Sequence, residues 1–385
     1  MAALTCVPAV TVAATPATAA VDNGAEVAPG APMRMQIEGM ERPENMPPEV
    51  FTAMSCSQGV PGTVTLPDGS KRNVMVSAAH CVKGTDDDDV QPDVYVYAPL
   101  EEGNELIAMA AHGEKMRMEP GEHWIETQLG IPNMPDWATA DLGPDVEMSR
   151  VADSVDQYGR RHGEPVELTG VRDYRDLQDW EISFDNFGQP ICKDGQTSGR
   201  TCGIQFMRTR NGLWYLGTGI PGDSGGVNFD PNNGEALGVS SLASWGLVVR
   251  AQPVDIALEE AYDIPDGQVN EYFALPDSTA PHAPMRTFEE DQQATRQWME
   301  ENSPEALDEP VTFESAKKKA DQNIAESVAE AHVQARDSVN LLSEDPTQVG
   351  QVAENAVNTA LYVGERLEGT ARAYAEAFQT SLEEE

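Results

Sequence analysis

The sequence predicts an all-β domain of barrel or sandwich type, followed by a separate helical segment. Three observations carry this. Short runs of β-forming residues recur between residues 51 and 265, as in "NVMVSA" (73–78), "DVYVYA" (93–98), "EALGVSS" (235–241) and "GLVVRAQPV" (246–254). Turn chemistry separates them, as in "PDGS" (67–70) and "PNNG" (231–234). Beyond residue 311 the apolar period changes from two to between three and four.

Taken in order, residues 1–20 are small, apolar and uncharged, and Ala17 to Ala19 read as a signal-peptidase site. The first arginine is Arg34, so the basic start of a signal peptide is missing. A truncated signal peptide is the preferred expectation, and a disordered Ala/Thr-rich segment is the alternative. Residues 21–50 are rich in Pro, Met and Glu without periodicity, and read as a pro-segment or linker. Residues 51–265 form the β domain, closed by a helix at "VDIALEEAY" (254–262), where Val254, Ala257, Leu258 and Tyr262 share a face. Residues 266–311 are acidic, contain proline and read as a linker. Residues 312–385 carry two stripes, one through Ile324, Val328 and Val339, the other through Val352, Val363 and Phe378. Asp345 is a plausible cap between them, with Pro346 at the first helical position. The expectation is a helical hairpin, either a solvated tail or an element that docks a helical partner.

Composition narrows the partners. The 385 residues hold 65 Asp+Glu against 25 Lys+Arg, a formal net charge of -40. Such a surface repels nucleic acid and anionic membrane. There are five cysteines, and loss of residues 1–20 would remove Cys6. The remaining four allow three pairings. Local pairing, Cys56 with Cys81 and Cys192 with Cys202, is the expectation, and it suits an oxidising compartment. No C-x-x-C pair occurs, and no metal site or cofactor is expected. "DDDD" (86–89) reads as a solvated loop rather than a Ca²⁺ site, because four adjacent acids cannot all turn to one ion. His112, His123, His162, His282 and His332 show no metal-like spacing.

Two stretches carry chemistry. "VMVSAAHCVKG" (74–84) runs an apolar strand into His80 beside Cys81, and "PGDSGG" (221–226) sets Ser224 among glycines. A serine hydroxyl is a weak nucleophile until a base takes its proton, and a histidine is such a base near neutral pH. A carboxylate must then hold the imidazole in one tautomer. Glycines let a backbone turn tightly and aim N–H groups at a developing oxyanion.

"SAAHC" and "GDSGG" resemble the two signature motifs of chymotrypsin-fold serine proteases, and the likeness is nearest to secreted bacterial members of the streptogrisin kind. "CSQG" (56–59), "ICKDGQTSGRTCG" (191–203) and "AQPVDIALEEAY" (251–262) resemble further family segments. The likeness spans about Cys56 to Tyr262. It implies two antiparallel six-stranded β-barrels with the site between them, and a serine endopeptidase acting on proteins or peptides. It implies His80 as base, Ser224 as nucleophile, and the N–H groups of Gly222 and Ser224 as the oxyanion hole. The acid should lie between His80 and Ser224. "DWATADLGPDV" from Asp136 matches the family frame. From Asp141 the frame would put Gly143 and Pro144 inside the strand, and proline is poor there. Asp136 is therefore preferred, with Asp141 the alternative.

The resemblance also implies a cation for Asp223, and Lys193 stands where bacterial relatives carry a basic residue. It places Thr218 at the base of the primary pocket, which makes that pocket neutral. It puts Ser241, Leu242 and Ala243 at the wall, a slot for small or medium apolar side chains. The competing frame at the wall is "SWG" (244–246). A pro-segment acting as inhibitor and display at the cell surface through the tail are further expectations. The contrasting reading is an inactive protease-like binding module.

Overall fold

Alternation of buried and half-exposed side chains builds the strands of the computed structural model. It describes residues 24–38, 42, 54–83, 94–115, 133–156, 158–244 and 248–304. In the first sheet the strands are β1 (Pro32–Ile37), β2 (Met54–Ser57), β3 (Val60–Thr65), β4 (Lys71–Ala78), β5 (Val94–Leu100), β6 (Gly103–Glu114) and β7 (Trp137–Leu142). Strand β5 shows the period directly, with Val94, Val96 and Ala98 inside and Tyr95 and Tyr97 half-buried between them. At the end of β4 the alternation stops. Val74 to Ala78 are buried without a break, as expected where both faces of a strand are covered.

Two short strands, β8 (Val151–Ala152) and β9 (Val166–Glu167), pair with each other, and β10 (Gly170–Val171) runs parallel to a strand of the second sheet. That sheet holds β11 (Pro190–Gly195), β12 (Gly199–Thr209), β13 (Gly212–Leu216), β14 (Val227–Phe229), β15 (Glu235–Ser244) and β16 (Val248–Pro253). Its order β15-β14-β11-β12-β13-β16 closes through β15–β16 pairing, which makes one closed six-strand barrel. The short helices are α1 (Ala79–Val82), α2 (Val254–Tyr262) and α3 (Val269–Tyr272). After β17 (Phe273–Ala274) comes α4 (Phe288–Asn302). No helix among the described residues is long and apolar enough to cross a membrane.

The first sheet differs from a six-stranded expectation. Its order is β17-β3-β4-β7-β6-β5-β1-β2, eight strands. The extra strands come from the two segments expected to be linkers. In 21–50, β1 pairs with both β2 and β5, and Val27, Ala28, Met33 and Met35 are buried. The buried Gln58 side chain stitches this segment down. It accepts from Ala28 N–H at 2.8 Å and donates to the carbonyls of Glu26 and Pro32. Methionine fills irregular gaps without a β-type pattern, so the sequence carried no periodicity to read.

In 266–311, Phe273 pairs with Val64 through β17 and is buried. Its ring lies where a side chain at Gly62 would be, 2.3 Å from the Cβ position. Helix α4 begins with a capping box, in which Thr287 Oγ1 accepts from Glu290 N–H and the Glu290 carboxylate accepts from Thr287 N–H. "TFEE" (287–290) was a legible start signal. The signal-like segment 1–20, the acidic run 86–89 and the helical extension 312–385 lie outside the described residues.

The largest core cluster joins the two sheets. Val60, Val74, Val76 and Trp137 of the first meet Val227, Phe229 and Val239 of the second, under Leu258 of α2. Second and third clusters fill the interiors around Met75 and Ile107, and around Tyr215 and Leu237. Phe273→Ala should lower unfolding free energy by about 3–5 kcal/mol, the cost of truncating a buried phenylalanine. A urea midpoint equal to that of the parent protein would show that residues 266–274 are not part of the cooperative unit.

Candidate active site

His80 sits on a single helical turn at the end of β4. Such a turn leaves N–H groups without partners. Asp136, just ahead of β7, supplies them. Its carbonyl accepts from Ala79 N–H at 3.1 Å, and its Oδ1 accepts from His80 N–H at 3.1 Å. The same carboxylate meets the ring, with His80 Nδ1 2.9 Å from Asp136 Oδ2. An ionised carboxylate only accepts, so Nδ1 carries the proton and a neutral ring keeps its lone pair on Nε2. Asp136 is fully buried, whereas the His80 side chain stays 26% exposed. Burial pulls the His80 pKa down, but the charge of Asp136 and its hydrogen bond outweigh burial and the nearby Arg250, leaving it above the ordinary 6.5.

Asp141 lies elsewhere. It pairs with Val74 in the β4–β7 ladder, whereas Trp137 pairs with Ala78. That is about 13 Å along the strand from the His80 end. Its carboxylate faces the exposed Arg72 at 3.4 Å.

A third element completes the surroundings of Asp136. The β15–β16 register slips between Ser240 and Leu242, so Ser241 occupies a bulge. Bulges re-aim side chains, and here the buried Ser241 hydroxyl donates to Asp136 Oδ2 at 2.5 Å. From β16, Gln252 Oε1 accepts from Asp136 N–H at 3.0 Å. Arg250 is fully buried nearby and donates to the carbonyl of Met134. Burial pushes its pKa down to about 10, against the pull of Asp136. Ser241 behind the acid had no sequence signal. Arg250 had one, a lone charge inside the apolar run "LVVRAQPV".

Ser224 lies on a turn tied to this region from several sides. Its carbonyl accepts from Ser57 N–H at 2.8 Å, and the Ser57 hydroxyl donates to the carbonyl of Gly222. Ser57 follows Cys56, whose disulfide partner Cys81 follows His80. Gly225 N–H donates to the carbonyl of Ser240, beside the bulge. Gly225 has φ +80, and a Cβ there would fall 2.5 Å from Ser77 Oγ, three residues ahead of His80. Only glycine lets the turn approach β4 so closely. Gly222 has φ +96, and a Cβ there would fall 2.1 Å from Thr197 Oγ1.

The N–H groups of Gly222 and Ser224 donate to no protein acceptor among the described residues, while those of Asp223, Gly225 and Gly226 all do. The Ser224 hydroxyl also makes no hydrogen bond among the described residues. A half-exposed turn with two unspent donors can hold an oxyanion.

Asp223 anchors that turn from below. It is 3 Å or less from two donors of the neighbouring hairpin, Ser198 N–H (2.9 Å) and Ser198 Oγ (2.7 Å), and from Lys193 Nζ (2.8 Å). It also accepts from Thr197 and Ile220 N–H. Lys193 is fully buried and donates to Ser198 Oγ as well. The second disulfide, Cys192–Cys202, joins directly opposite residues of the same hairpin.

The expected pocket residues are placed as two flanks. Thr218 is exposed, and its carbonyl accepts from Thr201 Oγ1 at 2.9 Å. Gly219 lies against Ala243, whose Cβ is 3.1 Å from the glycine's Cβ position. Leu242 is half-buried and Ala243 exposed. Ser241 turns its hydroxyl inward to Asp136. Of the other histidines, His162 bonds Asp156 at 2.7 Å and His112 stacks edge-on against Tyr262.

No protein-family model matches the chain, and no curated protein matches it. Among solved structures the chain is similar to Thermobifida fusca protease A, at 18% identity and TM-score 0.36, over 61% of this chain and 95% of that one. It is similar also to Cellulomonas bogoriensis chymotrypsin, at 19% identity and TM-score 0.35, over 66% of this chain and 99% of that one.

Removing one partner of a buried ion pair typically costs about 3–5 kcal/mol. Lys193→Ala should therefore lower stability by about that amount, measured by urea unfolding. A variant with unchanged midpoint would remove Lys193 from the support of the turn.

Proposed function

We propose that this chain is a secreted serine endopeptidase, with His80, Asp136 and Ser224 as its triad. The observation that carries the reading is the buried Asp136 carboxylate on His80 Nδ1, beside a glycine turn with two unspent N–H groups. Ser224 Oγ attacks the scissile carbonyl carbon while His80 Nε2 takes the hydroxyl proton. The carbonyl oxygen becomes an oxyanion facing the N–H groups of Gly222 and Ser224. The C–N bond then breaks as His80 returns the proton to the leaving amine. Water repeats the sequence on the acyl-enzyme, with His80 as base again. Asp136 holds the ring and stabilises its cation without being protonated itself. Ser241 fixes the Asp136 carboxylate from behind.

Substrate preference follows from the flanks. No charged side chain stands at Thr218, Leu242 or Ala243, so a neutral residue of small or medium size fits best. Discrimination among apolar side chains should be modest, about 10–200-fold per methylene difference. Two disulfides suit an oxidising location, in line with secretion.

A fluorophosphonate probe should label the protein, and Ser224→Ala should abolish labelling. Absence of label on correctly folded parent protein would sink the proposal. Asp136→Asn should lower kcat by about 10⁴ with the fold intact. The pH profile has a definite sign. His80 must be neutral to act as base, so kcat/KM should rise with pH, with a midpoint above the ordinary 6.5. The raised pKa also stabilises the fold at low pH, a contribution lost as pH climbs through it. A midpoint below the ordinary value would contradict the coupling to Asp136.

A further inference from the structure

Away from this site, three acids from separate parts of the chain converge. Asp173 follows β10, Glu259 lies on α2, and Asp266 lies in the loop before α3. Carboxylate oxygens from all three lie within 4.8 Å of one another. Two of the acids are held by backbone. Asp173 accepts from Gly267 N–H at 3.1 Å and Val269 N–H at 2.8 Å, and Asp266 accepts from Asp176 N–H at 3.2 Å.

Glu259 is the anomaly. It is 8% exposed, and neither carboxylate oxygen has a hydrogen-bond partner among the described residues. Buried carboxylates without donors are costly, and native proteins rarely keep them unexplained. The cations nearby are committed elsewhere. Arg210 binds Asp176 and Glu260, Arg208 binds Asp185, and Arg175 binds Glu181. Asp176 adds another buried oxygen, Oδ1, without a partner. No arginine or lysine pairs with Glu259 among the described residues, and its carboxylate lies within 4.8 Å of those of Asp173 and Asp266.

We propose that Asp173, Glu259 and Asp266 form a Ca²⁺ site, in which the ion takes the place of the donors Glu259 lacks. The donor set is all oxygen, which suits a hard cation and not zinc or copper. Calcium–oxygen bonds run about 2.3–2.6 Å, so ligands on opposite sides of the ion stand about 4.6–5.2 Å apart. The observed spread fits that span. Asp266 is exposed, so water can fill the remaining positions. The bound ion would clamp α2 to the segment after β10 and to the loop before α3. The role is structural, and it is independent of the proteolytic reading.

The test uses the full chain stripped with EGTA. Adding 10 mM CaCl₂ should raise the thermal midpoint by about 3–10 °C, with half the effect at roughly 0.1–1 mM. The same concentration of Mg²⁺ should raise it less. Glu259→Gln should abolish the calcium response while unfolding no lower than the stripped parent. Asp266→Asn, at an exposed position, should fold normally and shift half-saturation to higher calcium. No response in the parent overturns the site. An equal response in both variants also overturns it, because diffuse binding to the acidic surface would then suffice. An equal rise with Mg²⁺ overturns the choice of ion.

Discussion

Asp136 places a carboxylate where no solvent reaches, and much of the surrounding structure answers to that. Its carboxylate accepts from His80 N–H, His80 Nδ1–H and the Ser241 hydroxyl. Its own N–H and carbonyl are taken by Gln252 and Ala79. An ion so buried loses several kcal/mol of hydration, which charge-assisted hydrogen bonds must offset. The donors come from α1, at the end of the first sheet, and from β15 of the second, while β16 supplies Gln252 Oε1 as acceptor for the Asp136 N–H. The bulge at Ser241 exists in this setting, since an unslipped ladder would alternate its side chain differently. The buried Arg250 adds a positive field to the same cavity.

The same logic recurs under the serine turn. Asp223 is buried, and five donors from the hairpin tip, Lys193 and the turn itself surround it. Two buried carboxylates thus anchor the His80 turn and the Ser224 turn. Ser57 and the Ser240–Ser241 pair link them. Ser57 bonds the Ser224 turn next to the disulfide that fixes α1, and Ser240 and Ser241 bond the turn and Asp136 respectively. A buried polar network whose members are satisfied holds its backbone in one arrangement.

The core shows why the two sheets act as one unit. Val74, Val76 and Trp137 pack with Val227, Phe229 and Val239. The strands that carry His80 and Asp136 are therefore held by the strands flanking Ser224. Segments with no strand-like pattern also join this unit. Arg34 of β1 bonds Ser55, Gln196 and Asp291, connecting the first sheet, the hairpin near Asp223 and α4.

What was legible in the sequence was local. The alternation in "DVYVYA", the glycines of "GDSGG" and the strand-to-histidine run of "VMVSAAHC" act within a few residues, so adjacency alone reveals them. That Asp136 meets His80 while Asp141 faces Arg72 follows a cue that is also local, since Pro144 limits how the strand can run on from Asp141. The rest depended on neighbours distant in the chain. Met33 reads as linker until Gln58 and Cys56 surround it, and Phe273 reads as tail until Gly62 opens a space for its ring. Ser241 becomes a partner of Asp136 only through a register slip, and Glu259 becomes an orphan only when Asp173 and Asp266 crowd it. Composition and short-range pattern decided which residue types could do chemistry. Tertiary packing alone decided which charges share a cavity, because burial and charge pairing are set by residues that lie from a few to over two hundred positions apart in the chain.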